Sequence, residues 1–277
     1  MTGSRDSANW APTVDRLSAS GVSGASVDAV SGRRLSGPLQ GFGQLWQKTF
    51  RVRLEGVDVS PEQLVAAWKG SFASFWPRQG RFYGPLAGIA PGEVALLDVI
   101  PLPGAPVRLS SGILVVYADD ESFTFMTPEG HMLSAWITFS AFREGDVTIA
   151  QAQALERTSD PFDELAYMFG VSRMNDAFWS RTLENLARHV GVTEPAVTAV
   201  VICVDRRRQW RHVRNIRYSA TLRTARHTLA APVRWVTRRS ERRITPCGAV
   251  GRAGSPRSRG RSMPPQRRPT RSAMARA

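Results

Sequence analysis

Residues 109–155 read LSSGILVVYADDESFTFMTPEGHMLSAWITFSAFREGDVTIAQAQAL. Four apolar or alternating stretches are separated by three short turn signals. The first, 109–117, carries Ile113, Leu114, Val115 and Val116 and ends at Asp119-Asp120-Glu121. Residues 122–127 alternate, with Phe123 and Phe125 on one face, and stop at Pro128-Glu129-Gly130. A long stretch over 131–142 runs to Glu144-Gly145-Asp146, and 147–155 follows. Strands joined by connections this short must pair antiparallel with their neighbours.

Working upstream, 93–100 is another apolar strand, opened by Pro91-Gly92. Before it, Ser60 with Pro61 and Gln63 forms an N-cap, a first-turn proline and a capping box. Leu64, Trp68, Phe72 and Phe75 then recur on one helical face until Pro77. Residues 45–54 alternate, with Trp46, Lys48, Phe50, Val52 and Leu54 in one phase and Gln47, Thr49, Arg51 and Arg53 in the other. Downstream, Asp160-Pro161 starts a short helix to about Gly170. Ser172 is expected to cap a longer helix to Val190, where Gly191 supplies the stop. Phe178, Trp179, Leu183, Leu186 and Val190 form its apolar side. The order predicts an α+β domain, a curved antiparallel sheet gripping a long C-terminal helix, since that pairing buries both apolar surfaces.

The chain has 277 residues, 42% hydrophobic and 9% aromatic, an ordinary globular composition. No apolar run approaches the length of a membrane span, and 1–10 lacks an export pattern. The net charge of +14 is uneven. Residues 204–277 hold 21 of the 37 basic residues, all arginine, and two acids, so the remainder carries a net −5. Only Lys48 and Lys69 are lysines, a usage that reads as coding bias rather than phosphate recognition. Four segments follow: a flexible N-terminal arm (1–40), the sheet-and-helix domain (41–191), a basic helical extension (192–244) and a disordered Arg/Pro/Ser-rich tail (245–277).

The order strand, helix, antiparallel strands, long helix resembles the helix-grip superfamily (SRPBCC) that includes START lipid-transfer domains, polyketide cyclases and the birch-pollen-allergen family. The stretch 123–142, with Pro128, Gly130 and His131, and the opening Gly41-Phe42-Gly43-Gln44-Leu45-Trp46-Gln47-Lys48 are similar to an actinobacterial group within it. The likeness covers 41–191. It implies a cavity for a hydrophobic small molecule between sheet and helix, and no particular reaction.

Within that frame, Trp46, Tyr117, Trp136 and Phe178 are candidates for apolar contact with a ligand, and Tyr83, Ser134 or His131 for orienting it. Ala150, Ala152 and Ala154 share one strand face and remove side-chain volume. His131 is also the candidate general base of an alternative reading, a cyclase or hydratase; otherwise it is a strand-end histidine bonded to backbone. Asp119, Asp120 and Glu121 read as a solvated turn, and Glu164 either as solvated or as pointing inward. No His/Cys/Asp/Glu set has metal-ligand spacing, and no cofactor is expected. Residues 205–231 place Trp210, Val213, Ile216, Ala220 and Leu222 among arginines. Three readings stay open there: packing on the body, an anionic membrane surface bound through 204–244, or phosphate backbones, with sequence-specific nucleic-acid reading not expected. The expected location is cytoplasmic or peripheral to a membrane.

Overall fold

The computed structural model describes residues 7–18, 30–100 and 108–224. Strand β1 (Leu45–Arg53) is followed by helix α1 (Pro61–Gly70), whose capping box between Ser60 and Gln63 is formed in full. α1 ends at Gly70, earlier than the sequence periodicity suggests, and a 3-10 turn at Phe72–Phe75 carries the stripe onward. Leu64, Trp68, Phe72 and Phe75 are all buried. Next come β2 (Gly80–Tyr83), β3 (Val94–Val99), β4 (Leu109–Ala118), β5 (Ser122–Met126), β6 (Leu133–Glu144) and β7 (Val147–Thr158). Helix α2 (Pro161–Ala166) is N-capped by Asp160, which accepts from the amides of Phe162 and Asp163. A π-type turn at Tyr167–Val171, with Gly170 at φ +117°, leads into α3 (Ser172–His189). Ser172 does not cap α3, because the chain enters it already helical; its hydroxyl instead accepts from the Lys48 ammonium.

The sheet runs β2-β3-β4-β5-β6-β7-β1-β8, antiparallel throughout. Its last member, β8 (Val197–Asp205), pairs with β1. Residues 192–244 are therefore not a helical extension at this point. An apolar, β-branched run finds a partner in β1, some 150 positions earlier in the chain, and local helical spacing does not reveal that. The helical part shrinks to a 3-10 segment at Trp210–Tyr218 and a turn of helix after Ser219. Residues 197–224 pack on the body: Arg208 pairs with Glu164 at 2.9 Å, Arg157 with Asp205 at 2.5 Å, and Asn215 donates to the Ser159 carbonyl at 3.0 Å. The expected disorder of 245–277, and any helix over 225–244, lie outside the described residues.

Register fixes the two faces. Val52, Phe50 and Lys48 on β1 lie opposite Ala150, Ala152 and Ala154 on β7, and these opposite Ala141, Phe139 and Ile137 on β6. This is the concave face. α1 covers one half of it, where Trp68 packs against Phe123 and Phe139 at centroid distances of 5.9 and 5.1 Å. α3 crosses the rest, with Leu183 and Leu186 fully buried in the same core. Each such side chain contributes on the order of 2 kcal/mol of burial free energy. The convex face is covered in part by the N-terminal segment. Leu17 and Val30 are buried against Leu96 and Leu114, and Trp10 packs on Tyr117 at 4.7 Å. The described parts of 1–40 are thus a packed strap, because the upper sheet is apolar on both faces.

Gly43 marks a close approach. A Cβ there would fall inside contact distance of the Thr158 hydroxyl and the Glu164 carboxylate, which bond each other at 2.8 Å. Gly43→Ala is expected to cost about 1–3 kcal/mol, read as a lowered urea midpoint with unchanged m; a midpoint equal to the parent's would show that the two side chains yield freely.

Candidate functional site

Between the concave face and α3 lies a cavity of about 250 Å³. The sheet supplies Leu97, Val99, Ile113, Phe125, Ala135, Ile137 and Ala154; α3 supplies Met174, Asn175, Phe178 and Trp179. Trp76, following the 3-10 turn, closes one end, its ring 4.9 Å from that of Phe178 and 6.3 Å from that of Trp179. Gly80 permits this, since a Cβ there would strike both Trp76 and Phe178. The lining is mostly apolar, as small-molecule pockets are. Trp76 also brings a polar loose end. Its indole N–H is buried and has no hydrogen-bond partner among the described residues.

The polar wall is built on Glu156. This carboxylate faces the cavity from β7 and pairs with the Lys48 ammonium at 3.1 Å, both side chains almost wholly buried. Lys48 also contacts the Asp176 carboxylate and the Ser172 hydroxyl on α3 and sits 4.9 Å from the Tyr167 ring centroid. The Tyr167 hydroxyl donates to Glu156, and the Asn175 amide lies 3.4 Å from both its oxygens. Burial, then the charge of Glu156, pushes the Tyr167 phenol far above its ordinary range, so it remains a donor. Burying a lysine and a carboxylate is tolerable only because each finds the other and the remaining lone pairs are bonded.

His131 also lines the cavity, its Nδ1 held 3.0 Å from the Leu133 amide, which donates to it. Burial pushes the ring down to about 4, so it is neutral at physiological pH. A group that reluctant to take a proton is better suited to orient a ligand than to act as a base near neutrality.

Of the ten sequence candidates for ligand contact, His131, Ala154 and Phe178 line this cavity. The other seven lie elsewhere. Ala150 and Ala152 are on the correct face, but α1 covers them and they are core. Ser134 and Trp136 belong to the convex phase of β6; Ser134 bonds Ser36 and Ser159 at 2.7 and 3.0 Å, and Trp136 is 45% exposed. Tyr117 is convex too, under Trp10, with its hydroxyl on Asp119. Tyr83 is on the short edge strand, its hydroxyl 3.2 Å from Asp98. Trp46 packs beside Tyr167 and lines a surface cleft instead. Register explains the loss of Ser134 and Trp136: β6 carries a large apolar side chain in each phase, Trp136 in one and Ile137 and Phe139 in the other, and choosing the wrong phase flips every side chain. The residues missed are Trp76, Phe125, Glu156, Asn175 and Trp179. Lys48, in the apolar phase of β1, and Glu156, in the alanine phase of β7, were the available signal.

Glu164 does point inward, bonded by Thr158 and Arg208. Asp119 closes its own turn, accepting from the amides of Glu121 and Ser122. Next to Glu164, Asp163 is buried. Desolvation first, then the charge of Asp160, pushes its carboxyl up to about 8. The folded chain therefore keeps a proton that the unfolded chain releases above about 3.8, and stability falls as pH rises across that window. His131 acts in the opposite direction: the unfolded ring gains a proton near 6.5 and the folded ring only near 4, so stability falls as pH drops between them. Asp163→Asn is expected to gain about 1–3 kcal/mol at pH 8 and nothing at pH 4, in urea melts at both. An equal gain at both would mean that ionisation is not the cause.

No group of three or more possible metal ligands occurs among the described residues, and no helix among them is long and apolar enough to cross a membrane. No family model matches the chain, and no curated protein matches it. Solved structures do. A START superfamily protein from Mycobacterium smegmatis is 16% identical with TM-score 0.38, over 53% of this chain and 99% of that one. The di-domain ARO/CYC StfQ from the steffimycin biosynthetic pathway is 10% identical with TM-score 0.41, over 54% of this chain and 53% of that one. Major latex-like protein 151 from Panax ginseng is 14% identical with TM-score 0.32, over 49% and 97%. The arrangement of this chain's own elements, a curved antiparallel sheet closed over a long helix, is an α+β helix grip.

Proposed function

We propose that this chain binds a small aromatic or fused-ring molecule carrying an oxygen function in the cavity under α3. The observation that carries the reading is the cavity itself: a mostly apolar space of about 250 Å³ with the buried Glu156 carboxylate on its wall and, at its end, a Trp76 N–H with no partner among the described residues. A dry cavity of roughly 150 Å³ suffices for benzene, so this one suits two fused rings. Trp76, Phe125, Phe178 and Trp179 offer faces and edges to such rings. A ligand hydroxyl would donate to Glu156, and its oxygen, or a carbonyl, would accept from Trp76 or Asn175. Lys48 pairs with Glu156 from behind, so this carboxylate meets the cavity as half of an ion pair. His131 is neutral near pH 7 and its Nδ1 is engaged by the Leu133 backbone, which favours orienting a ligand over abstracting a proton, so the reading is binding rather than turnover.

The test is calorimetric titration of the full chain with 2-naphthol and with naphthalene. The parent should prefer the naphthol at least tenfold, one good hydrogen bond being worth about 1.4 kcal/mol, and Glu156→Gln should reduce that preference. Failure of 2-naphthol to saturate the protein would overturn the proposal.

A further inference from the structure

The two edges of the sheet are finished differently. β2 is a four-residue edge containing Arg81 and followed by Gly84-Pro85, devices that discourage further pairing. β8 has none. It is nine residues long, VTAVVICVD, with no proline and no charge before Asp205. Both of its faces are open: Val201, in the concave phase, is 43% exposed, and Val200 and Ile202, in the convex phase, are 50% and 51% exposed. Among the described residues nothing pairs with its outer edge. A strand apolar in both phases normally belongs inside a sheet, covered on either side.

We propose that β8 pairs antiparallel with β8 of a second copy, joining two sheets across a two-fold axis at Val200. The strand is self-complementary. Antiparallel pairing brings the acid before it, Glu194, to the end where the arginines after it begin, and counted along the sequence with Val200 on the axis Glu194 meets Arg206, both just outside the strand. Moving the axis to Val201 would place Glu194 opposite Arg208, which is already committed to Glu164. The chosen register sets Val197 against Cys203 and Thr198 against Ile202, so the ladder contains no charge. The C-terminal residues of the same chain are a poorer occupant of this edge, since Pro232, Pro246, Pro256, Pro264, Pro265 and Pro269 interrupt them and cannot donate to a ladder.

Sedimentation equilibrium of the full chain should give twice 30.5 kDa. Val200→Lys sets lysine against lysine and should weaken association at least about tenfold while leaving the circular dichroism spectrum and urea midpoint intact. Glu194→Arg should weaken it as well, and Glu194→Arg with Arg206→Glu should restore it, an outcome a partner of different sequence could not give. In a Cys203→Ser, Cys247→Ser background, Val200→Cys should cross-link to a covalent dimer on mild oxidation, because opposed Cα atoms lie about 4.5–5.5 Å apart; Val204→Cys should not. A monomer with protected β8 amides in hydrogen exchange, which would mean the chain's own C-terminal residues cover the edge, overturns the proposal. So does a dimer that ignores both Val200 variants.

Discussion

Ala154→Phe is expected to abolish binding of fused-ring compounds while the protein still folds. Ala154 is buried on β7, opposite Lys48 on one side and Ile137 on the other, and its methyl faces open space rather than α1. A phenyl ring there enters the cavity directly. Affinity for 2-naphthol should fall at least a hundredfold, about 2.7 kcal/mol, with the unfolding midpoint changed little because the ring fills existing space. Ala152→Phe is the control. It lies one pleat away beneath α1, in a packed core, so the same added volume should destabilise by about 1–3 kcal/mol without selectively closing the cavity. If Ala154→Phe binds 2-naphthol like the parent, the ligand does not sit under α3.

Lys48→Met is expected to be the most damaging single change in the domain. It removes the only cation within bonding distance of Glu156 among the described residues, leaving that carboxylate buried with only the neutral donors of Tyr167 and Asn175, and leaving Asp176 without the same cation. Breaking a buried pair in this way costs about 3–5 kcal/mol, a large part of the stability of an ordinary domain. Lys48→Met with Glu156→Gln should recover much of the loss, since no orphaned charge remains. The measurement is urea unfolding of the two singles and the double. A double mutant no more stable than Lys48→Met would mean that Lys48 matters through packing against Tyr167 rather than through charge.

Much of the architecture was legible because it is local. The Ser60–Gln63 box, the alternation of β1, the three hairpin turns between 118 and 147, Asp160-Pro161 and the Gly191 stop each encode their element within a few residues. What escaped depends on distant partners. β8 became a strand because β1 offers its free edge across the fold, and the N-terminal segment became a strap because Leu96 and Leu114 need cover. The site was read in part for a related reason. Phe178 and Ala154 sit on faces whose polarity is unambiguous, whereas β6 presents Trp136 on one side and Ile137 and Phe139 on the other, and only pairing with β5 and β7 decides between them. Lys48 and Glu156 are each an isolated charge on an apolar strand face; their significance appears when β1 and β7 are laid side by side.

The occupancy of the cavity under α3 is tested most directly by a methyl-TROSY titration of the full chain with 2-naphthol. Shift changes are expected at Ile113, Ile137, Val171 and Met174, with the indole signals of Trp76 and Trp179 moving in parallel and all saturating at one affinity. Changes confined to the exposed methyls of Val200, Ile202 and Val204, or none at any concentration, would contradict a ligand-binding cavity between sheet and helix.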